Sequence, residues 1–425
     1  MRTVSKTVIG VDFGTQSARA VLVNAENGEI IYSCRKEYPY NSTPVPAIDC
    51  AENLPCATDY EMTLYELLRN VIPEEYRKTV AGICVDATSL TMVLLAEDGR
   101  ALSELDGWSE AAHARVKLWK YHRAQEKADE ALNLARNLQE PFLGRTGGSI
   151  SCEWMLPKLL EVRDEAPEIY SKIDLAMDLC EFLTFRLTGQ LVRSIGSLSY
   201  KCLWAEDLSF PERTFLNGLR AGFYEEYCHF LRGDVRKLGE CAGVLRSELT
   251  KRWGLPEQIP VATGMLDGHT SLATMGAFEP GDAALIVGTS NVCTVQDRKL
   301  QELKDVCGVA QDGMVTGSCG IDTGQSSTGN MLGWFVEHMA GWQIHREAEE
   351  RKISPHQVLA ERIQKPWENK VIAVDWWSGS RNAPCDLTLR GSMSGLEMDT
   401  KTEDIYLALL QLSLIHISEP TRLDV

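Results

Sequence analysis

At 425 residues and 44% hydrophobic content, the chain is too long for one ordinary core, so two domains are the natural expectation. A net charge of −17 argues against nucleic acid or an anionic membrane as partner, since both need a basic face; an anionic nucleotide, captured locally by backbone amides and a metal, stays open. No apolar run approaches the roughly 18–20 residues of a membrane span, the N-terminal residues lack a signal peptide's apolar stretch, and the thirteen cysteines are scattered without a C-x-x-C pair, as in a reduced, cytoplasmic protein without a zinc site.

The first element, Val8 to Val23, reads as two apolar strands joined by a tight polar turn. Asp12 stands near the end of the first strand, and the turn offers Gly14, Thr15, Gln16 and Ser17. Glycine lets the backbone approach an anion, and successive N–H groups with hydroxyls can line an anion-binding concavity. Asp12 beside it is placed to orient a hydrated Mg2+. The competing reading is an ordinary hairpin whose turn faces water. A third strand follows the Asn27-Gly28 turn over Gly28 to Cys34, then a Pro-, Asn- and Ser-rich loop over Tyr38 to Cys56, a helix from Asp59 to Asn70, and a strand Val80 to Asp86 leading into Ala87-Thr88-Ser89. Strand meander, helix and parallel strand together predict an α/β domain with a mixed sheet.

Ala112 to Leu187 is mainly helical by its three- and four-residue apolar spacing. Leu118-Trp119-Lys120 and Tyr200 to Trp204 each put a lysine near a tryptophan, either as stem packing on a surface ring or as a sugar floor with an ammonium aimed at hydroxyls. A helix end at Trp253-Gly254 sets the domain boundary after Ile259. Pro260 to His269 then runs from an apolar strand into Gly-x-x-Asp-Gly-His. Asp267 there is either a general base held by sheet hydrogen bonds at a cleft or a helix N-cap. His269 reads as a satisfied core residue. Ala283 to Val292 repeats the opening pattern of strand, Gly288-Thr289-Ser290 turn and strand, as expected for a nucleotide between two related domains. Gly320 to Gly329, with Asp322 and Gln325, reads as a polar loop before a helix over Met331 to Met339 and is a candidate polyol contact.

These stretches, together with Val85-Asp86-Ala87-Thr88-Ser89, Ser151 to Leu160, Gly324-Gln325-Ser326 and Ala373 to Trp377, resemble the FGGY carbohydrate kinases in order over about residues 7–411, and most resemble the branch acting on L-ribulose. The resemblance implies an actin/Hsp70-like (ribonuclease H-like) α/β ATPase fold with two domains around a central cleft, over 1–259 and 260–411, the second incomplete. It implies ATP- and Mg2+-dependent phosphorylation of a ketopentose at its terminal hydroxyl, L-ribulose before D-ribulose or xylulose, in L-arabinose catabolism; a homodimer is compatible with it. Carried over by position, Asp267 is the general base and, with Asp12, a metal-side carboxylate. Gly14, Thr15, Gln16, Ser17, Gly288, Thr289 and Ser290 face the ATP phosphates, and Ser89, Lys201, Asp267, Asp322 and Gln325 face the sugar. An exposed Asp267 with a near-normal pKa is expected. Asp322 stands where the branch has glutamate, and Pro55-Cys56-Ala57 where it has Gln-His-Pro, which leaves the pentulose open. Residues 412–425 do not match the family, so part of the adenosine site is expected to be missing. A non-catalytic actin-like nucleotide binder and an inactive sugar-binding relative are the alternatives.

Overall fold

The computed structural model describes residues 5–38, 54–288, 290–304, 306–325, 327–364, 369–374, 376–380, 386 and 389–418, with only the backbone path for 413–418. The first strand, Thr7–Phe13, alternates buried and half-buried residues, so Ile9, Val11 and Phe13 face one core while Asp12 faces the other side. It pairs antiparallel with Ser17–Asn24 and parallel with Val80–Ala87. The seven-stranded sheet runs Ile30–Glu37, Ser17–Asn24, Thr7–Phe13, Val80–Ala87, Pro260–Ala262, Cys241–Val244, and Met265–Leu266 also joins Val80–Ala87.

Helices close its faces. Ala57–Asn70 buries Tyr60, Leu64, Leu67 and Leu68, the spacing of one helical stripe, and each such side chain contributes about 1.5–3 kcal/mol. Its first turn is tied down by the Asp59 carboxylate, which accepts the Cys56 N–H at 3.2 Å. Leu179–Thr188 lies in the same core, with Phe182 fully buried. A second, helical core gathers residues between Leu90 and Leu231. A third packs Met331, Phe335, Val358 and Leu409 around helices Thr328–His338, Pro355–Arg362 and Thr402–Ser418. Among the described residues no helix is long and apolar enough to cross a membrane.

The second sheet is antiparallel, in the order Ala283–Val287, Asn291–Asp297, Cys319–Gln325, Gly308–Gln311. Two expectations are corrected here. Residues 319–325 form a strand paired on both sides rather than a loop, so Asp322 is held by ladders to Thr294 and Gly308. The division after Ile259 falls inside the first sheet, because Pro260–Ala262 and Met265–Leu266 are two of its strands. Tyr200 joins the halves: its ring packs in a core with Ala284, Ala310 and Met314, and its hydroxyl donates to the Gly320 carbonyl at 2.7 Å.

Gly264, between the last two strands of the first sheet, has no room for a side chain. A Cβ there would lie 2.7 Å from the Cys180 carbonyl oxygen, a backbone atom that cannot step aside. Gly264→Ala is therefore expected to destabilise the protein by about 1–3 kcal/mol, read as a lower denaturant midpoint.

Candidate functional site

Three parallel strands end side by side, and each brings an aspartate to the same edge. Asp12 stands opposite Asp86 in register, Met265 is also opposite Asp86, and Asp267 follows at the end of Met265–Leu266. The carboxyl ends of parallel strands are where α/β sheets open a crevice for ligands. Asp267 is the first residue of the helix Asp267–Met275, directly after the strand Met265–Leu266; the N-cap reading is corrected, because the cap position is Leu266. The Asp267 carboxylate accepts the Gly268 N–H at 2.7 Å and is also hydrogen-bonded by the Ser89 N–H.

Burial pushes the Asp267 carboxyl up to about 6, and the Asp12 charge adds to this, against the Gly268 and Ser89 amides and Lys201. The expectation of a near-normal acid is corrected; Asp267 is half-buried where it lines the cleft. Asp86, which the sequence showed only as a strand end, is pushed further, to about 8, by burial first and then by the carboxylate of Asp12, with which it shares a hydrogen bond. The neighbouring Asp12 carboxylate thus disfavours the charged form of Asp86.

A cleft of about 620 Å3 receives all three aspartates, and Gly14, Thr15, Gly288 and Ser290 line the same space. The first turn closes with Gly14 N–H donating to the Ser17 carbonyl at 3.1 Å, the second with Gly288 N–H to Ser290 at 3.2 Å. Thr289 lies outside the described residues. Gln16 is exposed and off the cleft wall. Ser17 is also off it, with its hydroxyl accepting Arg35 Nε at 3.0 Å inside the sheet. Gln325 is likewise engaged structurally: its amide oxygen accepts from Asn291 at 3.3 Å and Thr328 at 3.2 Å.

Ser89, Lys201 and Asp322 line the same cleft. Lys201 Nζ is 3.5 Å from Asp322 Oδ2, and His269 Nε2 is 3.7 Å from the same oxygen. Burial alone would raise the Asp322 carboxyl, but Lys201 and His269 outweigh it and hold it below the usual range. His269, read as core, is buried and T-stacked on Tyr200 at 4.8 Å, yet it also reaches the cleft. Its place two residues after Asp267 in the first helical turn was the available signal. Trp119 is a wall residue too: its indole N–H donates to the Thr15 hydroxyl at 3.1 Å and ties this wall to the first turn. The Ser89 hydroxyl and His269 Nδ1 are buried without a hydrogen-bond partner.

Asp86 Oδ1 is likewise buried and unpartnered beside two other acids, which suits a cation. Among the described residues no three metal-ligating groups form a ready-made cage.

The family description "FGGY family of carbohydrate kinases, N-terminal domain" matches residues 7–274, and its C-terminal counterpart matches 283–414. A ribulokinase of Halalkalibacterium halodurans is 33% identical over 417 residues, spanning 96% of this chain and 74% of that protein. A ribulokinase of Mycolicibacterium smegmatis is 35% identical, again over 96% of this chain and 74% of its own length. Among solved structures, a ligand-bound xylulose kinase of Lactobacillus acidophilus superposes with a TM-score of 0.77 at 17% identity, covering 98% of this chain and 78% of its own. Plasmodium falciparum glycerol kinase with ADP gives 0.75 at 16%, over 98% and 78%. At such identities the structural likeness speaks for the fold.

Proposed function

The chain belongs to the FGGY family of carbohydrate kinases, and from that premise we propose that it transfers the γ-phosphoryl group of ATP to the terminal hydroxyl of a ketopentose, L-ribulose first among them. The observation that carries this is one cleft lined together by Asp267, the Gly14–Thr15 and Gly288–Ser290 turns and the Lys201–Asp322 pair. The ribulokinase relatives support the choice of pentulose. The same reading carries a cytoplasmic location, a place in L-arabinose breakdown and a homodimer as the assembly to look for first.

In this reading Asp267 takes the proton of the attacking hydroxyl, its carboxylate aimed by the Gly268 and Ser89 amides. Lys201 donates to sugar oxygens while Asp322 balances its charge. Amides and hydroxyls at Gly14, Thr15, Gly288 and Ser290 hold the phosphates. Asp12 and Asp267 would hold Mg2+, which when bound supplies charge neutralisation at the transferred group. Phosphoryl transfer is mainly positioning plus electrostatic stabilisation, so these groups can supply much of the effect. Closure of the two halves over the sugar keeps water from the γ-phosphate.

Calorimetry with L-ribulose, D-ribulose, D-xylulose and glycerol, with and without Mg-ATP and coupled to ADP release, tests the reading. Saturable pentulose binding with turnover, tightest for L-ribulose, is expected. Nucleotide binding without any sugar would instead mark a non-catalytic actin-like protein, and sugar binding without turnover an inactive relative. Lys201→Met removes a charged hydrogen bond of about 1.5–3 kcal/mol, so the sugar Kd should rise roughly tenfold or more with the nucleotide Kd unmoved.

A further inference from the structure

The helical lobe contains a buried charge that phosphoryl transfer leaves unused. Lys158, on the helix Met155–Glu165, is 0% exposed. An ammonium removed from water is costly unless its protons are all taken. Here they go to three backbone carbonyls: Leu90 at 2.6 Å, Leu118 at 2.9 Å and Lys117 at 3.3 Å. Burial lowers its pKa to about 8, while the Glu153 and Asp178 carboxylates act through space to favour the charged form and the Lys117 ammonium opposes it.

Those carbonyls belong to two segments of the cleft wall. Leu90 directly follows Ser89 and sits at φ 64, a left-handed conformation that costs a non-glycine residue energy and persists only where its surroundings enforce it. Both of its backbone groups are gripped. The N–H donates to Asp178 Oδ2 at 3.1 Å and the carbonyl accepts from Lys158. Asp178 Oδ2 also accepts from Ser197 at 3.1 Å, on the helix Ile195–Lys201 that ends in Lys201. Lys117 and Leu118 immediately precede Trp119, whose indole reaches the first turn.

We infer that Lys158 is a positioning residue for the sugar wall: its ammonium clamps the Ser89–Leu90 and Lys117–Leu118 segments together, so that Ser89 and Trp119 are presented to one substrate. The inference rests on the reading that this wall receives the sugar. An ammonium suits the task because three donors diverge from one atom, whereas a guanidinium is planar; an apolar side chain strips the Leu90 carbonyl of its donor and leaves the Lys117 and Leu118 carbonyls with only the Met92 and Tyr121 N–H groups of their own neighbourhood.

The test is amide hydrogen exchange on ligand-free wild type, Lys158→Met and Lys158→Arg, with L-ribulose and Mg-ATP calorimetry on the same preparations. Losing a charged hydrogen bond to each segment, Lys158→Met should exchange about tenfold faster over 88–91 and 117–120, with 7–13 unchanged. Its L-ribulose Kd should rise about tenfold while that for Mg-ATP stays within about twofold. Lys158→Arg, should the methionine variant not fold, is expected to show the same two local defects in weaker form. Unchanged exchange in the two segments, exchange raised evenly over the whole lobe, or a Lys158→Arg protein equal to wild type in both readouts overturns the clamp. Because exchange is read without ligand, a wild type that binds no pentulose counts against the kinase reading, and the clamp is still decided.

Discussion

Asp267→Asn is expected to bind the ketopentose nearly as well as wild type and to turn it over about 10²–10⁴-fold more slowly. Asparagine keeps the size of the side chain and can still accept the Gly268 N–H that the carboxylate accepts at 2.7 Å. It cannot take a proton from the attacking hydroxyl, so the loss falls on kcat rather than on sugar affinity. Steady-state ADP release with calorimetry on the same protein measures both. Near-normal turnover in this variant removes Asp267 from the mechanism. A matched fall in affinity and turnover would make it a sugar-binding group only.

Arg193→Met is expected to cost about 3–5 kcal/mol of stability, the largest single loss predicted for this chain. Arg193 is 0% exposed in the strand Val192–Ser194 and spends its guanidinium on Glu181 at 2.8 Å and on the carbonyls of Ala176, Phe230 and Arg232 at 2.8–2.9 Å. Glu181 in turn accepts the Ser194 N–H at 3.0 Å, just before the helix that ends in Lys201. Removing the arginine leaves a buried carboxylate without its counter-charge, held only by the Ser194 and Asp178 N–H groups, and takes the guanidinium donors from three carbonyls. Glu181→Leu in the same chain removes the orphaned charge and should restore part of the loss. Guanidinium denaturation of the single and double variants reads both numbers, and a single-variant loss below about 1 kcal/mol would show that water or relaxation satisfies the site.

Much of the site's chemistry was legible in the residues. An apolar strand ending in an acid and a Gly-Thr turn can be recognised locally, because strand alternation and turn chemistry depend on neighbours a few positions away. So Asp12, Gly14, Thr15, Gly288, Ser290, Lys201, Asp267 and Asp322 could be picked out as candidates, and the fold sets them along one cleft. Ser17 and Gln325 lie off the cleft lining, because polarity near a glycine turn does not say which way a side chain points; here Arg35, Asn291 and Thr328 engage them. The strand 319–325 was missed because its glycines and hydroxyls resemble a loop, and its pairing partners at 291–297 and 308–311 make it a strand.

By itself the sequence determined the local pieces: two glycine turns after apolar strands, acids at strand ends, helical stripes such as Leu64, Leu67 and Leu68, and membership of a kinase family. Tertiary structure alone decided how those pieces act on one another. Register across parallel strands sets Asp12 beside Asp86 and brings Asp267 to the same edge. Burial then raises Asp267 to about 6 and Asp86 to about 8. Packing of the helical lobe puts Lys158 on carbonyls 40 to 68 residues away. Proton affinity and buried hydrogen bonds depend on dehydration and on charges brought close by folding, and neither quantity exists until distant segments meet.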